Sequence, residues 1–482
     1  MAGERREISL PVALIPVAFL IAALSITILV FGIDRPDIPI VCAAAVAAAV
    51  ATIHKHPWKE IERGMIHGIN LALNAVLILM SIGILIGTWM AGGIVPAMIY
   101  YGLQVLSPGI FLVATLLICS IISLGTGSSW STAGTVGVAL IAIGHGLGIP
   151  MPMVAGAVIS GAYFGDKMSP LSDTTNLAPA VAGTDLITHI RHMVYTTAPG
   201  YVISLVLYGL LGLQFTADRL DTESLDAMLA VLDSNFLIHP ILLIAPCAVI
   251  AMVVMRVPPL PAILGGSALG GIFAVLSQSR SLADVIASAY NYSGIFTPTG
   301  AAMVDELLNR GGLASMLPTV GLIICALSFG GIMERTGMLN TIARALLSKA
   351  RSTGSLVATT IFSCIAMNVV AAEQYMAIVI PGRMYKNAFD ARGLHPKNLS
   401  RCLEDSATLT SPLVPWNSCG AFMHAALGVN PLLYLPYAFL NLSNPLVSLF
   451  YGYTGITMEK VGETDPQGNT PEDSPSTSNH TQ

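Results

Sequence analysis

Residues 164–185 place carboxylate, ammonium and hydroxyl side chains inside an otherwise apolar sequence. The segment reads FGDKMSPLSDTTNLAPAVAGTD and contains Asp166, Lys167 and Asp173. Carboxylate and hydroxyl oxygens are the ligands that a hard cation prefers, and a partly desolvated carboxylate also binds a proton. Pro170 breaks the helix beside these charges, and free backbone at membrane depth must be buried or line a cavity. The segment therefore predicts a broken helix that carries a cation site.

Three further interrupted segments carry the same kinds of side chain. They contribute Ser128, Ser129, Asn368, Glu373, Glu404, Asp405, Ser411 and Asn417. Proton coupling needs a carboxylate that binds either the cation or a proton, and Asp173, Glu373 and Asp405 are predicted to do so. Na⁺ itself is predicted to bind through Asp173, Thr174 and Glu373. For each acid, the alternative is a structural ion pair or a hydrogen bond at a helix end.

For four residues near the breaks, the sequence allows two alternative roles each. Lys167 is predicted either to be a counter-charge that holds the break or to extend to the membrane surface. Ser128 and Ser129 either bind the ion or allow tight helix packing. Trp416 either lines the site or lies at the membrane interface.

The composition is that of a polytopic membrane protein. Of 482 residues, 54% are hydrophobic and 10% are charged, and the mean hydropathy is +0.73, against about 25% charged residues in soluble domains. The net charge of −5 is scattered, which excludes a nucleic-acid-binding face. Motifs of metalloproteases, P-loop ATPases and hydrolases are missing from the sequence. We therefore predict an all-α transporter or channel, with no enzymatic activity and no cofactor.

Apolar runs long enough to span a bilayer occur eight times, and four composite regions lie between them. The runs are 10–32, 38–53, 69–90, 193–213, 236–256, 257–278, 313–333 and 431–453, and the composite regions are 109–146, 150–185, 353–381 and 401–428. The composite regions are predicted to be broken helices or re-entrant hairpins. The amphipathic segments, 54–68 among them, are predicted to lie at the interface.

The two halves of the chain resemble each other at an offset of 242 residues, which places SPLSDTTNLA, from Ser169, on SPLVPWNSCG, from Ser411. This offset predicts that Ser169-Pro170 and Ser411-Pro412 face each other, and it pairs Glu373 with Ser131. The predicted divisions are a cytoplasmic N-terminus 1–9, a first repeat 10–213, an external acidic loop 214–235, a second repeat 236–453 and a cytoplasmic, disordered tail 454–482.

Each predicted half crosses the membrane an odd number of times, so the halves have opposite topology. With both termini in the cytoplasm, 17 of the 22 Lys and Arg residues lie inside and Lys167 lies in the membrane; only Arg35, Arg219, Arg280 and Arg310 lie outside. Inverted repeats with broken helices are typical of secondary transporters. The favoured function is exchange of Na⁺ for H⁺ by alternating access, and the alternative of a different class is an ion channel.

Three long motifs resemble the NhaC-type Na⁺/H⁺ antiporters of the ion transporter superfamily. They are GTGSSWSTAGTVG, GDKMSPLSDTTNLAPAVAGTD and EDSATLTSPLVPWNSCGAF, and the likeness extends from about residue 10 to residue 455. The resemblance implies an antiporter of the bacterial or archaeal inner membrane, a homodimer, with re-entrant hairpins in each half. It also implies that these positions belong to the family signature: Gly165, Asp166, Ser169, Pro170, Asp173, Thr174, Thr175, Asn176, Glu404, Asp405, Ser411, Pro412, Trp416 and Asn417.

The resemblance leaves the substrate open. The same family includes members that resemble exchangers of malate and lactate coupled to Na⁺ and H⁺, and others that resemble amino-acid transporters. A helix N-terminus near Ser128 or Asn417 could receive a small carboxylate. The breaks contain no evident arginine clamp for a carboxylate, which favours exchange of cations alone.

Overall fold

The computed structural model describes residues 8–33, 36–215, 222–255, 257–292, 305 and 311–462. Most of the predicted N-terminal segment, residues 216–221 of the acidic loop and residues 463–482 of the predicted tail lie outside these ranges. So do six of the arginines used to predict orientation: Arg5, Arg6, Arg35, Arg219, Arg256 and Arg310.

Helices make up most of the described part of the chain, as the composition predicts. They are α1 (Leu10–Ile28), α2 (Asp37–Ile53), α3 (Trp58–Ala91), α4 (Ile94–Val105), α5 (Pro108–Thr126), α6 (the consecutive stretches Ser129–Thr132, Ala133–Gly137 and Val138–Gly146), α7 (Met151–Met168), α8 (Asp173–Ala182), α9 (Leu186–Gly212), α10 (Thr222–Asn235), α11 (Ile244–Val254), α12 (Pro259–Leu276), α13 (Leu282–Asn291), α14 (Leu317–Arg335), α15 (Met338–Leu347), α16 (Thr353–Val370), α17 (Gln374–Asp390), α18 (Pro396–Leu403), α19 (Ser418–Leu427) and α20 (Phe439–Thr454). A π-helical turn, Glu404–Thr408, continues α18.

The surface of this helical assembly is apolar. Ile121 is 71% exposed, Leu446 is 65% exposed and Ile21 is 52% exposed. Seven helices in the described ranges are long and apolar enough to cross a membrane, or eight if the bent pair Leu229–Asn235 and Pro240–Met252 forms one span. The protein is therefore a multi-pass membrane protein whose outer side chains contact lipid.

The longest described helix, α3, includes most of residues 54–68, whose place at the interface stays a prediction. Residues 58–68 form the first turns of one continuous helix, Trp58–Ala91, which packs against α14. Glycines allow the close approach: a Cβ atom at Gly68 would lie 2.1 Å from the carbonyl oxygen of Leu327. The charged side chains of the segment lie on the same helix as a long apolar run, and the periodicity of the segment alone does not reveal that the helix continues.

In the first half of the chain, two helix breaks pass over each other. Helix α5 ends at Gly127, which has φ of +68° and donates its N–H to Ser123. The next helix starts after Ser128, whose hydroxyl accepts the N–H of Ser131. A Cβ atom at Gly127 would lie 2.7 Å from the backbone carbon of Leu171, in the break between α7 and α8. The two breaks are thus in direct backbone contact.

The second half of the chain contains a similar crossing. Helix α16 ends before Ala372, which has φ of +58°, and α17 starts after Glu373. In the other break, the Ser418 N–H donates to the carbonyl of Ala372 at 2.9 Å, and the Trp416 indole N–H donates to Val369 at 2.7 Å. These hydrogen bonds fix the two breaks against each other.

The helix caps recur along the chain at an offset of 245 residues. Ser128 caps α6 as Glu373 caps α17, and Ser172 caps α8 as Asn417 caps α19. Ser411 lies three residues further from its cap, Asn417, than Ser169 lies from its cap, Ser172. An offset of 242 therefore aligns the two Ser-Pro-Leu segments but not the caps. The pairing of Glu373 with Ser131 is therefore replaced by Glu373 with Ser128. Opposite membrane topology of the halves, and the facing of Ser169-Pro170 with Ser411-Pro412, stay predictions.

The segment after α20 is held to the body of the protein as far as it is described. Val461 N–H donates to Gly393 at 2.8 Å, and His395 N–H donates to Glu459 at 3.0 Å. Lys397 forms an ion pair with Glu459. The first part of the predicted disordered tail is thus ordered, because these hydrogen bonds and the ion pair attach it to the start of α18.

Replacing Gly127 by alanine is expected to destabilise the protein more than replacing Gly148 by alanine. Both residues have positive φ, +68° and +71°, but a Cβ atom at Gly148 meets nothing within 4 Å. Gly148→Ala should cost about 1 kcal/mol for the backbone alone, and Gly127→Ala about 2 kcal/mol or more because it also pushes the breaks apart. Thermal unfolding in detergent measures both losses, and equal losses would argue against the contact between the breaks.

Candidate functional site

The two crossings border one cavity of about 370 Å³. The first residue of each of four helices lines it: Ser129 of α6, Asp173 of α8, Gln374 of α17 and Ser418 of α19. Helix α3 closes one side with apolar residues and Asn74, and the start of α12 closes another. Both halves of the chain therefore contribute to a single polar cavity.

Asp166 is the carboxylate that the first half buries in this cavity. It lies near the end of α7 and is 7% exposed. Ser129, 2% exposed, donates its hydroxyl to Asp166 Oδ2 at 2.6 Å. The hydrogen bond joins the first turn of α6 to the last turn of α7, which brings a carboxylate and a hydroxyl oxygen together at the cavity wall. Ser129 therefore does more than allow tight helix packing, because its hydroxyl also contacts the buried carboxylate.

Glu373 is the corresponding buried carboxylate of the second half. It is 4% exposed, and its Oε2 accepts the N–H of Met376 at 3.1 Å as the cap of α17. Next to it, the thiol of Cys419 donates to Gln374 Oε1 at 2.9 Å. The Gln374 Nε2 is buried and has no hydrogen-bond partner among the described residues.

Asp173 occupies a more open position than Asp166 and Glu373. It is exposed, and Tyr375 donates its hydroxyl to Asp173 Oδ2 at 3.0 Å. Tyr375 itself is 37% exposed. This hydrogen bond links α8 to α17 at the mouth of the cavity. Thr174, which follows Asp173, is 4% exposed and also lines the cavity.

The electrostatics of the cavity combine helix dipoles with uncompensated acids. Four helix N-termini each place a partial positive charge at its wall, which stabilises carboxylates and other anions there. Within the described ranges, no Lys or Arg forms a salt bridge with Asp166, Asp173 or Glu373. A buried carboxylate without a full counter-charge must take up a proton or a cation.

The comparisons with known proteins agree with this chemistry. The model of the Na⁺/H⁺ antiporter family matches residues 161–456, which is more than half of the chain. The chain belongs to this family. It is 41% identical to a Na⁺/H⁺ antiporter NhaC of Alkalihalophilus pseudofirmus, over 88% of this chain and 92% of the relative.

Relatives with other named substrates are also similar to this Na⁺/H⁺ antiporter family member. A malate-2H⁺/Na⁺-lactate antiporter of Bacillus subtilis is 41% identical over 91% of this chain and 92% of the relative. An arginine/ornithine antiporter, ArcD, of Halobacterium salinarum is 36% identical over 92% of both chains. The resemblance read from the three motifs is confirmed, and these relatives are transporters.

Several predicted site residues of this family member hold the breaks in shape. The Thr175 hydroxyl donates to the carbonyls of Asp166 and Lys167 at 3.1 and 2.9 Å. The Asn176 amide donates to Pro170 at 2.9 Å, and the Leu171 N–H donates to the hydroxyl of Ser169 at 3.2 Å. These contacts satisfy backbone groups that the end of α7 leaves free.

Gly165 allows α7 to reach α5 closely. A Cβ atom at Gly165 would lie 2.3 Å from the backbone nitrogen of Leu124. The close approach places the end of α7, with Asp166, directly beside the end of α5. Gly165 thus positions Asp166 through helix packing.

The second-half signature residues behave similarly. Asn417 donates its amide to the carbonyl of Asn368 at 3.1 Å, and Asn368 donates to Ala407 at 2.7 Å. Ser411 donates to Thr408 at 2.8 Å, and the carbonyl of Pro412 accepts the hydroxyl of Tyr434. Asn368, Asn417 and Ser411 are completely buried in this network, so the structure places them in the scaffold of the second crossing rather than on the cavity wall.

Asp405 lies apart from the cavity in a second polar group, which we call the Lys167 cluster: Lys167, Thr196, Glu404, Asp405 and Asn444. Lys167 and Asp405 form an ion pair, and neither side chain has any exposed surface. Thr196 donates its hydroxyl to Asp405 Oδ1 at 2.9 Å. With its amide turned to satisfy both ends, Asn444 accepts from Lys167 at 2.8 Å. Lys167 is therefore a counter-charge, and the alternative that it extends to the membrane surface is excluded.

The sequence reasoning missed Asn74, Tyr375, Thr196 and Asn444. Asn74 is the single polar residue in the run LALNAVLILM, which is a signal in itself, because isolated polar residues in a span usually face protein. Asn444 shares a similar signal, since Asn441, Asn444 and Ser448 recur on one face of α20. Tyr375 and Thr196 gave no such signal, since their roles depend on which helix lies opposite.

Proposed function

We propose that this protein exchanges Na⁺ for H⁺ across a membrane, with the ion and the proton competing for the cavity carboxylates. The observation that carries the proposal is the pair Asp166 and Glu373. These two buried acids come from different halves of the chain and line the same cavity, and among the described residues neither forms a salt bridge with a Lys or Arg.

The physical argument is charge balance. An ionised carboxylate in a poorly solvated cavity is unfavourable unless a cation neutralises it. A proton removes the charge, and Na⁺ compensates it with the help of hydroxyl oxygens such as those of Ser129 and Thr174. Only one of the two can occupy a given carboxylate at a time. Competition therefore links Na⁺ release to proton uptake, with Asp173 at the mouth as the first carboxylate that an entering ion meets.

The proposal includes a location and a mode of action. The distribution of Lys and Arg supports an orientation with both termini in the cytoplasm, and we place the protein in the cytoplasmic membrane. The recurring caps support two repeats of one plan around a common site, as alternating access between inverted repeats requires. We further propose a homodimer without enzymatic activity or a cofactor, with Na⁺ and H⁺ as cargo.

Exchange of a small carboxylate is the second candidate, and the four helix N-termini favour it. Backbone N–H groups at a helix start bind carboxylates, and a cavity of about 370 Å³ accommodates a small organic acid. Gln374 Nε2, which has no hydrogen-bond partner within the described part of the chain, is a further donor in this region. The named substrates of the malate-lactate relative and the amino-acid relative give the chemical classes to test.

Purified protein in liposomes should couple the two ion gradients. An outward Na⁺ gradient is expected to drive H⁺ into the vesicles, and dissipating the Na⁺ gradient should stop this flux. Liposomes without protein serve as the control. Proton movement that does not depend on Na⁺ would contradict the proposal.

The same vesicles distinguish the candidates. Labelled malate, lactate, arginine and ornithine are each offered with and without the unlabelled substrate inside. Accumulation that needs the internal substrate supports carboxylate or amino-acid exchange. A flux that needs no counter-substrate and exceeds transporter rates would identify a channel instead.

A further inference from the structure

Tyr375 lines the cavity, and the proposed competition of ions gives it no role. It is the second residue of α17 and is 37% exposed. Its hydroxyl donates to Oδ2 of Asp173, the first residue of α8, at 3.0 Å. Because α8 belongs to the first half of the chain and α17 to the second, this hydrogen bond crosses the mouth of the cavity from one half to the other.

Two other side-chain hydrogen bonds of the cavity wall each stay within one half. Ser129 donates to Asp166 at 2.6 Å in the first half, and Cys419 donates to Gln374 at 2.9 Å in the second half. A movement of one half against the other leaves these two bonds intact, but it stretches or breaks the bond at the mouth.

The helix starts that carry Tyr375 and Asp173 are each fixed to their own half. The Thr175 hydroxyl donates to the carbonyl of Lys167 at 2.9 Å, which ties the start of α8 to the end of α7. Just before α17, the carbonyl of Ala372 accepts the N–H of Ser418 at 2.9 Å, which ties this break to α19. The hydrogen bond at the mouth therefore joins two stiff units.

Further along, α8 and α17 pack closely against each other. A Cβ atom at Gly382 of α17 would lie 2.6 Å from Cγ1 of Val181. Val181 lies about 12 Å along α8 from Asp173, since each helical residue adds about 1.5 Å. A tilt about this close contact would separate the two helix starts and widen the mouth of the cavity. The hydrogen bond of Tyr375 opposes this tilt at the end where the mouth opens.

We propose that Tyr375 is a gate residue, whose hydrogen bond to Asp173 holds the cavity mouth narrow and breaks each time the mouth opens to admit or release Na⁺. The inference rests on the proposed Na⁺/H⁺ exchange and deepens it, because it names a contact between the halves that alternating access must break. Tyr375 acts through Asp173 as a positioning residue, and its hydroxyl transfers no proton.

Cys419 reports the opening of the mouth, because it lines the cavity and is only 1% exposed. The small neutral reagent methyl methanethiosulfonate forms a mixed disulfide with a thiol that it reaches and releases methanesulfinate. Peptide mass spectrometry measures the rate at Cys419 in detergent. Tyr375→Phe keeps the ring and removes the donor. This variant is expected to react roughly three- to tenfold faster at Cys419, as loss of one hydrogen bond to a partly exposed carboxylate allows.

Tyr201→Phe is the matched control. Tyr201 also joins two helices through its hydroxyl, which donates to Ser120 at 2.9 Å, but it lies away from the cavity. This variant should leave the rate at Cys419 unchanged. Cys364 is completely buried outside the cavity wall and shows whether a variant has loosened as a whole. Faster reaction of both cysteines in Tyr375→Phe would indicate general loosening and would overturn the proposal.

Removing the acceptor tests the same bond from the other side. Asp173→Leu fills a similar space and leaves the Tyr375 hydroxyl without its acceptor, so the rate at Cys419 should rise by a similar factor. Adding Tyr375→Phe to this variant should raise the rate no further, because the bond is already lost. Factors that multiply in the double variant, or an unchanged rate in Tyr375→Phe, would overturn the gate.

The labelling rates need no ion gradient, so they test the gate separately from the proposed function. An unchanged rate in Tyr375→Phe overturns the gate and leaves Na⁺/H⁺ exchange intact. Wild-type protein that exchanges no Na⁺ for H⁺ in liposomes would remove Na⁺ as the cargo that the gate admits, and it would overturn the inference in that form.

Discussion

Asp166→Asn is expected to abolish Na⁺/H⁺ exchange while leaving the protein folded. Asparagine has nearly the same shape and can still accept the hydroxyl of Ser129, whose hydrogen bond to Asp166 measures 2.6 Å. Asparagine carries no charge and binds no proton, so neither Na⁺ nor H⁺ can be held at this position as it is by the carboxylate. Loss of a charged ligand costs about 2 kcal/mol or more of Na⁺ binding free energy, which corresponds to a roughly 30-fold weaker affinity for Na⁺.

Exchange in liposomes and thermal unfolding together measure this effect. Asp233→Asn is the matched control, because Asp233 is an exposed acid of α10 away from the cavity. Glu373→Gln is expected to act in the same direction as Asp166→Asn. Wild-type rates in Asp166→Asn would remove Asp166 from the site and leave Asp173 and Glu373 as the remaining acids.

Lys167→Met should destabilise the protein severely, and a second substitution should restore much of the loss. Lys167 and Asp405 have no exposed surface, so removing one partner leaves an unpaired charge in the interior. This costs about 3–5 kcal/mol, whereas replacing both charges is often close to neutral. The variant Lys167→Met with Asp405→Asn should therefore unfold at a higher temperature than either single variant.

The double variant also separates stability from transport. If the ion pair serves only to hold the break, the restored protein should exchange Na⁺ for H⁺. If Asp405 binds the coupling ions, as the sequence predicts, the restored protein should fold and remain inactive. Equal unfolding temperatures for wild type and Lys167→Met would contradict the counter-charge role of Lys167.

The sequence allowed the broken helices to be predicted, because their causes are local. Pro170 and the serines beside it mark a break in any environment, and Gly127 precedes a capping serine. Glu373 was recognised as an acid in an apolar run, and the structure puts it at the start of α17. The low fraction of charged residues was enough to predict a membrane protein, because so few charges cannot cover a surface that faces water. The long apolar runs then predicted helices, which satisfy their own backbone hydrogen bonds in lipid.

The composition of the site could not be predicted, because it depends on which breaks touch. Asp166 and Asp405 are both acids near a break, but one faces the cavity and the other faces Lys167. Residues 166 and 167 project from α7 about 100° apart, and only the packing of α6 and α20 decides which direction faces the cavity. Tyr375 meets Asp173 for the same reason. The spacing of residues in the sequence holds no information about these long-range contacts.

The most direct test of the central claim measures protons released when Na⁺ binds. Purified protein in a weak buffer near neutral pH is titrated with Na⁺, with choline as the control cation. The account predicts acidification that saturates with Na⁺, an apparent Na⁺ affinity that falls as the pH is lowered, and loss of both in Asp166→Asn. Na⁺ binding that releases no protons and has the same affinity at every pH would contradict competition at the cavity carboxylates.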